Sequence, residues 1–319
     1  MTTPRRVRNL VVLRALGIGD LLASVPALRG LRAAFPAHRL VLATTPSLAP
    51  LAYRTGAVDE VLGAHGLRVL DWPERTEVAV NLHDRGPKSA RILDALRPEH
   101  RIGHRAPGWD GPEWNPVAAE RDRWCGLLAA HGMTADPRDL RLVRPRRSAG
   151  LPRVVVVHPG APRISRRWPA ERFAKVARGL HDAGHRVVIT GSTAEVPLAV
   201  KVAELAGLSR RQVLAGRTDL DSLAALIARA RLLICGETGV AHLGFAFGTP
   251  SVVLAGPVPA STWGPPEGGP HVILSVDRLR RGDPYADTPD PALLAVGSDW
   301  VAASARKLLA GLPRRTFAV

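Results

Sequence analysis

Short runs of apolar residues recur along the chain and alternate with stretches whose apolar positions repeat every three or four residues. Short apolar runs are typical of buried parallel strands, and the second spacing is typical of helices with one apolar face. The pattern therefore predicts strands alternating with helices along both halves of the chain. The predicted strands are Asn9–Leu13, Leu40–Ala43, Val78–Leu82, Val154–Val157, Arg186–Thr190, Leu232–Cys235 and Val252–Ala255.

Capping residues support the ends of several predicted helices. Gly132 and Gly184 directly follow helical segments, at a common terminating position, and Ser298 can cap the start of the last helix. The predicted helices are Ser89–Leu96, Ala118–His131, Ala170–Ala183, Ala194–Ala206, Leu220–Ala230, Gly239–Phe247 and Asp299–Leu309.

A basic segment with proline and glycine, RPRRSAGLP at 144–152, separates the two series of elements and is predicted to be a linker. The series on either side predict two doubly wound, Rossmann-like α/β domains, residues 1–150 and 151–319, with a last helix able to pack back on the first domain. The length of 319 residues suits two domains of ordinary size. In such sheets ligands bind at the carboxyl ends of strands, so the loops after strands are the candidate sites.

The formal net charge of +16 changes the range of partners to consider. Only four of the 44 basic residues are lysines, a bias that a GC-rich genome also produces. The remaining excess favours phosphate-bearing donors, an acidic acceptor or the negative inner face of a membrane. Nucleic acid is disfavoured, because the arginines are scattered and no recognition module is legible among them.

Cysteine usage and hydropathy bear on location. Cys125 and Cys235 form no C-x-x-C pattern, which favours reduced, buried thiols and a cytoplasmic protein. A long uncharged stretch, residues 238–266, is interrupted by glycines and prolines and is therefore typical of short elements joined by turns, not of a membrane span. We expect the chain not to cross a bilayer.

The first candidate site follows the first predicted strand, in the segment LRALGIGD. Gly17 and Gly19 match part of a dinucleotide-binding fingerprint, but Leu22 stands at the third glycine position, so hydride transfer is disfavoured. A glycine turn would instead bring Asp20 to a helix N-terminus, where the helix dipole keeps a carboxylate ionised. Such a carboxylate could accept a proton from a sugar hydroxyl. The alternative is that Asp20 only caps the helix.

Two later strand-to-helix loops carry groups suited to a diphosphate. HPGAPRISRRWP contains Arg163 and Arg166, whose guanidinium groups can bind phosphate oxygens, although a solvated basic loop would look the same. CGETGVAH places Thr238 and Gly239 at a helix N-terminus, where backbone N–H groups can approach a diphosphate. His242, on the same helix, is either a ligand contact or a buried structural histidine.

Acidic residues near these loops have competing explanations. Glu237 is unfavourable beside phosphate and is expected to face a hydroxyl. Glu195 can accept from ribose hydroxyls or can complement a helix dipole in the first turn. The D-x-D sequence Asp219-Leu220-Asp221 resembles a metal motif, but capping of the helix that it opens is the simpler account. No metal and no cofactor are predicted, so arginines and a helix terminus would neutralise a leaving diphosphate.

Three segments, RALGIGDLLASVPALRGLRAAFP, HPGAPRISRRWPAERFA and ICGETGVAHLGFAFGTPSVVLAGP, resemble glycosyltransferase family 9. Its best-known members are the ADP-heptose:lipopolysaccharide heptosyltransferases. The resemblance covers nearly the whole chain. It implies an α/β fold of GT-B type, in which two Rossmann-like domains face a cleft. It also implies an inverting, metal-independent mechanism and a donor held mainly by the C-terminal domain.

The resemblance also implies roles for individual residues. Asp20 matches the catalytic aspartate, Arg166 matches a basic residue on the donor diphosphate with Arg163 assisting, and Glu195 matches an acid that binds the nucleoside. Lys88, in RGPKSA, resembles a basic residue on the acceptor side.

The third segment adds the diphosphate-binding turn and helix, matched by Thr238, Gly239 and His242. It also contains one departure, because the family commonly has aspartate where this chain has Glu237. The longer side chain could change donor geometry or sugar preference.

The expected function is transfer of a sugar, heptose by resemblance, from a nucleotide-diphosphate donor, with an ADP-sugar as first choice. The acceptor would be a hydroxyl of the lipopolysaccharide core or another anionic or lipid-linked glycan. The enzyme would then be cytoplasmic, with peripheral contact to the inner face of the plasma membrane. The alternatives are a sugar-nucleotide epimerase of similar architecture, which needs no acceptor, and a nucleotide-sugar- or glycan-binding protein without turnover.

Overall fold

A computed structural model of the chain describes residues 7–146, 151 and 153–311. The chain divides into two compact units, Met1–Val143 and Arg144–Val319. This division falls at the first residue of the predicted linker, seven residues before the predicted domain boundary. Within that linker, residues 147–150 and 152 lie outside the described part of the chain.

The N-terminal unit is a parallel α/β sheet of five strands in the order β3-β2-β1-β4-β5. Its strands are β1 (Asn9–Leu13), β2 (Arg39–Thr44), β3 (Glu60–Gly63), β4 (Val78–Asn81) and β5 (His100–Ile102). Its helices are α1 (Ile18–Ala23), α2 (Val25–Ala34), α3 (Ala49–Arg54), α4 (Lys88–Asp94) and α5 (Glu120–Ala130).

The central position of β1 fixes where this unit can bind a ligand. All five residues of β1 are buried, as expected for a strand covered on both faces. β1 pairs in parallel with β2 on one side and with β4 on the other, so the chain order reverses between β1 and β4. The loops after β1 and β4 therefore lie at the topological switch point, where open α/β sheets bind ligands.

The C-terminal unit is a second parallel sheet of five strands, in the order β10-β9-β8-β6-β7. Its strands are β6 (Val155–His158), β7 (Val187–Ile189), β8 (Leu232–Gly236), β9 (Ser251–Leu254) and β10 (His271–Leu274). Its helices are α6 (Ala170–Asp182), α7 (Val196–Ala206), α8 (Leu220–Arg229), α9 (Gly239–Phe247), α10 (Ala260–Trp263), α11 (Pro291–Leu294) and α12 (Ser298–Ala310). Here the order reverses between β6 and β8.

The core of the C-terminal unit explains its helix pattern. The predicted apolar face of α6, which includes Phe173 and Leu180, is buried against the sheet. The last helix, α12, contributes Val301, Ala305 and Leu309 to this same core, and it packs against α6, β8 and β9. The core of the C-terminal unit therefore buries the apolar face of the last helix.

Candidate functional site

Asp20 lies at the carboxyl edge of the N-terminal sheet, in the first turn of α1. Its Oδ2 accepts a hydrogen bond from the Gly17 N–H at 3.0 Å, so the carboxylate does cap the helix. The other oxygen, Oδ1, lies 3.6 Å from Nη2 of Arg14, and the side chain is 30% exposed. Capping therefore uses one oxygen and leaves a partly exposed carboxylate at the switch point.

Arg14 directly follows β1 and is almost completely buried. Its Nε donates to the Asp20 carbonyl at 3.0 Å, its Nη1 to the Leu82 carbonyl at 2.5 Å, and its Nη2 to Glu120 Oε1 at 2.8 Å. The guanidinium also lies 4.8 Å from the ring centroid of Trp124. Arg14 thus ties the ends of β1 and β4 to α1 and α5.

The loop after β4 places His83 beside Asp20. His83 is buried and its Nδ1 accepts from the Ala15 N–H at 3.2 Å. Burial lowers the pKa of His83, while the charges of Asp84 and Asp20 oppose that change. The imidazole is therefore neutral near pH 7. Lys88, the predicted acceptor-side residue, is exposed at the first position of α4.

At the carboxyl edge of the C-terminal sheet, Arg166 meets Glu237. Arg166 ends a short 3-10 helix after β6, Glu237 follows β8, and Arg166 Nη1 lies 3.5 Å from Glu237 Oε1. Burial raises the pKa of Glu237 to about 7, against the opposing effects of Arg166 and of the backbone N–H groups of Gly256 and Val258. The carboxyl group is therefore divided between its neutral and ionised forms near neutral pH.

Three polar atoms at this edge are buried without a hydrogen-bond partner of normal geometry among the described residues. They are Nε of Arg166, Oε2 of Glu237 and Oγ1 of Thr238. Thr238 is the N-cap of the nine-residue helix α9, which begins at Gly239, and its hydroxyl makes no capping hydrogen bond. Buried polar atoms are normally paired, so a cluster of three at one helix N-terminus indicates space for a polar ligand.

A small, partly open pocket continues from Glu237 and Thr238. The ring of His242 contacts Phe245 and Trp263 edge-on, with centroids 5.4 and 5.7 Å apart. The remaining lining is mostly apolar, from α9, α10 and the ends of β9 and β10. His242 thus borders this pocket and also packs against aromatic rings.

Glu195 lies at the end of the neighbouring strand, β7. Its Oε2 accepts from the N–H and the hydroxyl of Ser192 at 2.7 and 2.9 Å, which is the first-turn capping alternative. The carboxylate also lies against Gly160, where an added Cβ would come within 2.1 Å of Oε1. The absence of a side chain at Gly160 thus allows Glu195 to reach the loop after β6.

Arg163 lies outside this cluster. It is exposed, and its guanidinium is 4.8 Å from the ring centroid of Tyr285. The segment that carries Tyr285 is held by Ser165, whose hydroxyl donates to the Pro284 carbonyl, and by the buried carboxylate of Asp290. Arg163 is therefore positioned by stacking and not by an acidic partner.

The D-x-D sequence caps a helix, as the sequence favoured. Asp219 is the N-cap of α8, and its Oδ1 accepts from the Ser222 N–H at 2.7 Å. Across residues 7–146, 151 and 153–311, no group of three or more histidine, cysteine, aspartate or glutamate side chains has the geometry to hold a metal ion. The helices in the same ranges include none that is long and apolar enough to span a membrane.

The structure thus brings together Arg166, Glu237, Thr238, Gly239 and His242, whereas Arg163 and Glu195 lie on adjoining loops. In the N-terminal unit it joins Asp20 to Arg14, His83 and Glu120, which sequence reasoning did not select. The sequence held one indication for Arg14, a charged residue directly after the apolar run of residues 10–13. Glu120 carried none, because its partner lies 106 positions away.

Two parallel α/β units, each with charged groups at the switch point of its sheet, define a fold of GT-B type. Solved structures agree. A glycosyltransferase of family 9 from Veillonella parvula matches with a TM-score of 0.78 and 20% identity, over 95% of this chain and 97% of that one. The E. coli ADP-heptose lipopolysaccharide heptosyltransferase II matches with a TM-score of 0.77 and 21% identity, over 95% and 98%.

Sequence comparisons match part of the chain. Residues 136–278 match the family model of glycosyltransferase family 9 (heptosyltransferase), so the resemblance to that family is confirmed. Lipopolysaccharide heptosyltransferase 2 of E. coli K12 is 31% identical over 127 residues, 37% of this chain. The matched region spans about a third of such curated relatives, 36% of that one. The residues that match the family model include Arg166, Glu195 and Glu237.

Proposed function

We propose that the protein is an inverting, metal-independent glycosyltransferase that moves a heptose from ADP-heptose to a hydroxyl of the lipopolysaccharide core. The main support is the cluster of unpartnered buried atoms on Arg166, Glu237 and Thr238 at the start of α9. A cation, a helix N-terminus and hydroxyl-binding groups suit a sugar diphosphate. This cluster lies in the region that matches the family, whose named relatives include an ADP-heptose transferase.

In this proposal the C-terminal unit holds the donor. Arg166 and the N–H groups at the start of α9 bind the diphosphate, and Arg163 adds positive charge from the adjoining loop. Glu195 accepts from the ribose hydroxyls with the oxygen that does not cap Ser192. Glu237 and His242 border the sugar.

The N-terminal unit takes the acceptor, with Lys88 contributing positive charge toward its anionic groups. Oδ1 of Asp20 accepts the proton of the attacking hydroxyl. The acceptor oxygen bonds to the anomeric carbon on the face opposite the diphosphate, and the bond from that carbon to the phosphate oxygen breaks. ADP leaves with the electron pair, and the configuration at the anomeric carbon inverts.

Metal independence follows from the charges assigned to the diphosphate. Arg166 and the dipole of α9 supply fixed positive charge where the leaving group becomes more negative, which is the role that an ion has in other transferases. Asp219, the first residue of the metal-like motif, already accepts a hydrogen bond from the Ser222 N–H. An acceptor borne by a membrane lipid would place the enzyme at the inner face of the membrane, where its net charge of +16 favours contact.

The test is transfer from ADP-heptose to a heptose-deficient lipopolysaccharide core, followed by ADP release and by mass spectrometry of the glycan, with and without EDTA. Wild type should transfer one heptose in both conditions, and Asp20→Asn should lose about 10²-fold or more in kcat. Transfer by Asp20→Asn at the wild-type rate would refute the assignment of Asp20 as the general base. Loss of transfer with EDTA would refute metal independence. Conversion of ADP-heptose without an acceptor would indicate an epimerase, and binding without any reaction would indicate a binding protein.

A further inference from the structure

A fully buried ion pair lies directly behind Asp20. The side chains of Arg14 and Glu120 are 1% and 10% exposed. Burial of a charge is costly unless it is paired and hydrogen-bonded, and Arg14 meets that condition by donating to Glu120 and to two backbone carbonyls. One of these carbonyls belongs to Asp20 itself, so Arg14 holds the turn of α1 that carries the candidate base.

Glu120 is the acceptor for three donors. Its Oε1 accepts from Arg14 at 2.8 Å and from the indole N–H of Trp124 at 2.9 Å, and its Oε2 accepts from Arg123. Arg123 is itself held by the carbonyls of Asn115 and Ala118. These hydrogen bonds fix the position of the Glu120 carboxylate. The positive charge of Arg14 therefore interacts with two carboxylates, those of Glu120 and Asp20.

The geometry makes that sharing unequal. Nη2 of Arg14 is 2.8 Å from Glu120 Oε1 and 3.6 Å from Asp20 Oδ1. His83, on the loop after β4, interacts electrostatically with Asp20, with Arg14 and with its chain neighbour Asp84. Arg123 lies behind Glu120. A cation fully committed to Asp20 would hold its ionised form and make it a poorer proton acceptor. Glu120 draws Arg14 away from that role.

We propose that Arg14 and Glu120 are positioning residues for Asp20. Arg14 fixes the helix turn that carries Asp20. Glu120 pairs with Arg14 and so reduces the stabilisation that Arg14 gives to the Asp20 carboxylate. This inference rests on the proposed role of Asp20 in transfer. It predicts that the pH dependence of the reaction, and not only its rate, responds to a residue that touches no substrate.

Glu120→Gln is the central test, because glutamine keeps the shape and an acceptor oxygen for Arg14 while removing the charge. Arg14 then has Asp20 as its remaining carboxylate. The acidic limb of the kcat/KM profile should move to lower pH by about one unit. The plateau should fall about three- to ten-fold, because a more stabilised carboxylate accepts a proton less readily.

Arg14→Lys tests the positioning part. A single ammonium group cannot donate in the three directions that the guanidinium serves, so the turn that carries Asp20 loses its anchor. We expect kcat to fall about 10²-fold with little change in KM, since misplacement of a catalytic group by about 1 Å has effects of that size.

Glu74→Gln is the matched control. It makes the same substitution in the same unit, in a half-exposed ion pair with Arg39. It should leave the pH profile unchanged. Binding of ADP, measured by calorimetry, should stay within about two-fold of wild type in all variants, because the proposal places ADP in the C-terminal unit and the substituted residues belong to the N-terminal unit.

The outcomes distinguish failure of the positioning role from failure of the proposed function. A Glu120→Gln enzyme that loses activity and thermal stability with an unmoved acidic limb would show a merely structural role and overturn the inference. If Glu120→Gln does not fold, Glu120→Asp should move the limb in the same direction by a smaller amount, and an unmoved limb there would be equally decisive. Full activity of Asp20→Asn, or no transfer by wild type, would refute the proposed function and the inference with it.

Discussion

The buried carboxyl group of Glu237 should make the C-terminal unit less stable as pH rises. Its pKa of about 7 compares with 4.5 for the ordinary side chain, a difference of about 2.5. At 1.36 kcal/mol for each pH unit, this is about 3 kcal/mol. The folded state holds the proton of Glu237 more tightly than the unfolded state does. The contribution of Glu237 to the free energy of unfolding is therefore greatest below pH 4.5 and is lost as pH rises through 7.

Glu237→Gln should remove this dependence. Glutamine fills the same space without a charge to bury, so the free energy of unfolding of the variant should be closest to that of wild type at pH 5 and should exceed it most at pH 8.5. The gain of up to about 3 kcal/mol corresponds to about 6–12 °C in the melting temperature of a unit of this size. Calorimetric or fluorescence melting of both proteins without ligand, at several pH values, measures the difference directly.

Glu171→Gln is the control for this experiment. Glu171 is an exposed residue of the same unit whose pKa is lowered by a hydrogen bond from Lys201. Its contribution is complete above pH 5, so its substitution should give no pH-dependent difference between pH 5 and 8.5. If the difference in melting temperature between Glu237→Gln and wild type were constant over that range, the raised pKa of Glu237 would be refuted.

Three further substitutions test other parts of the donor site. Arg166→Ala should weaken binding of ADP and lower kcat, with a loss of about 2–4 kcal/mol in transition-state stabilisation. The control Arg178→Ala, on the exposed face of α6, should change neither the Kd for ADP nor kcat. Calorimetry measures the Kd, and steady-state kinetics measure kcat. Asp219→Ala should cost about 1 kcal/mol of stability through the lost cap and leave transfer unaffected by EDTA, and a loss of turnover without a loss of stability would contradict the capping role. Gly160→Ala should displace Glu195 and raise the Kd for ADP about ten-fold or more, and an unchanged Kd would separate Glu195 from the nucleoside.

Central strands could be predicted from the sequence, and so could β7, an edge strand whose residues are all buried, but the other three edge strands could not. β1, β4, β6 and β8 are buried on both faces and therefore consist of apolar runs that stand out from their surroundings. β3, β5 and β10 lie at the edges of their sheets, with one side or both partly exposed. Their sequences, EVLG, HRI and HVIL, are short and mix polar with apolar residues, so their pairing with a neighbour and not their composition makes them strands.

Candidate ligand groups could be predicted because parallel sheets concentrate chemistry in the loops after strands. Asp20, Arg166 and Thr238 were selected on that ground, and each lies at the carboxyl edge of its sheet. The separate contacts of the two carboxylate oxygens of Asp20 could not be predicted. Asp20 was considered as either a cap or a base, and the structure shows that one oxygen caps Gly17 while the other faces Arg14.

The two sheet edges differ in how their charges are satisfied, and this difference bears on the mechanism. At the N-terminal edge, Arg14 and Glu120 pair with each other and with the backbone, so the groups around Asp20 keep their positions without a ligand. At the C-terminal edge, Arg166 and Glu237 meet only at 3.5 Å, and each retains a buried atom without a partner among the described residues. Unpaired buried groups are costly, so that edge gains most from a polar ligand. In the proposed single-displacement transfer, Asp20 is a base held in position before the substrates bind, and the donor itself completes the proposed leaving-group site.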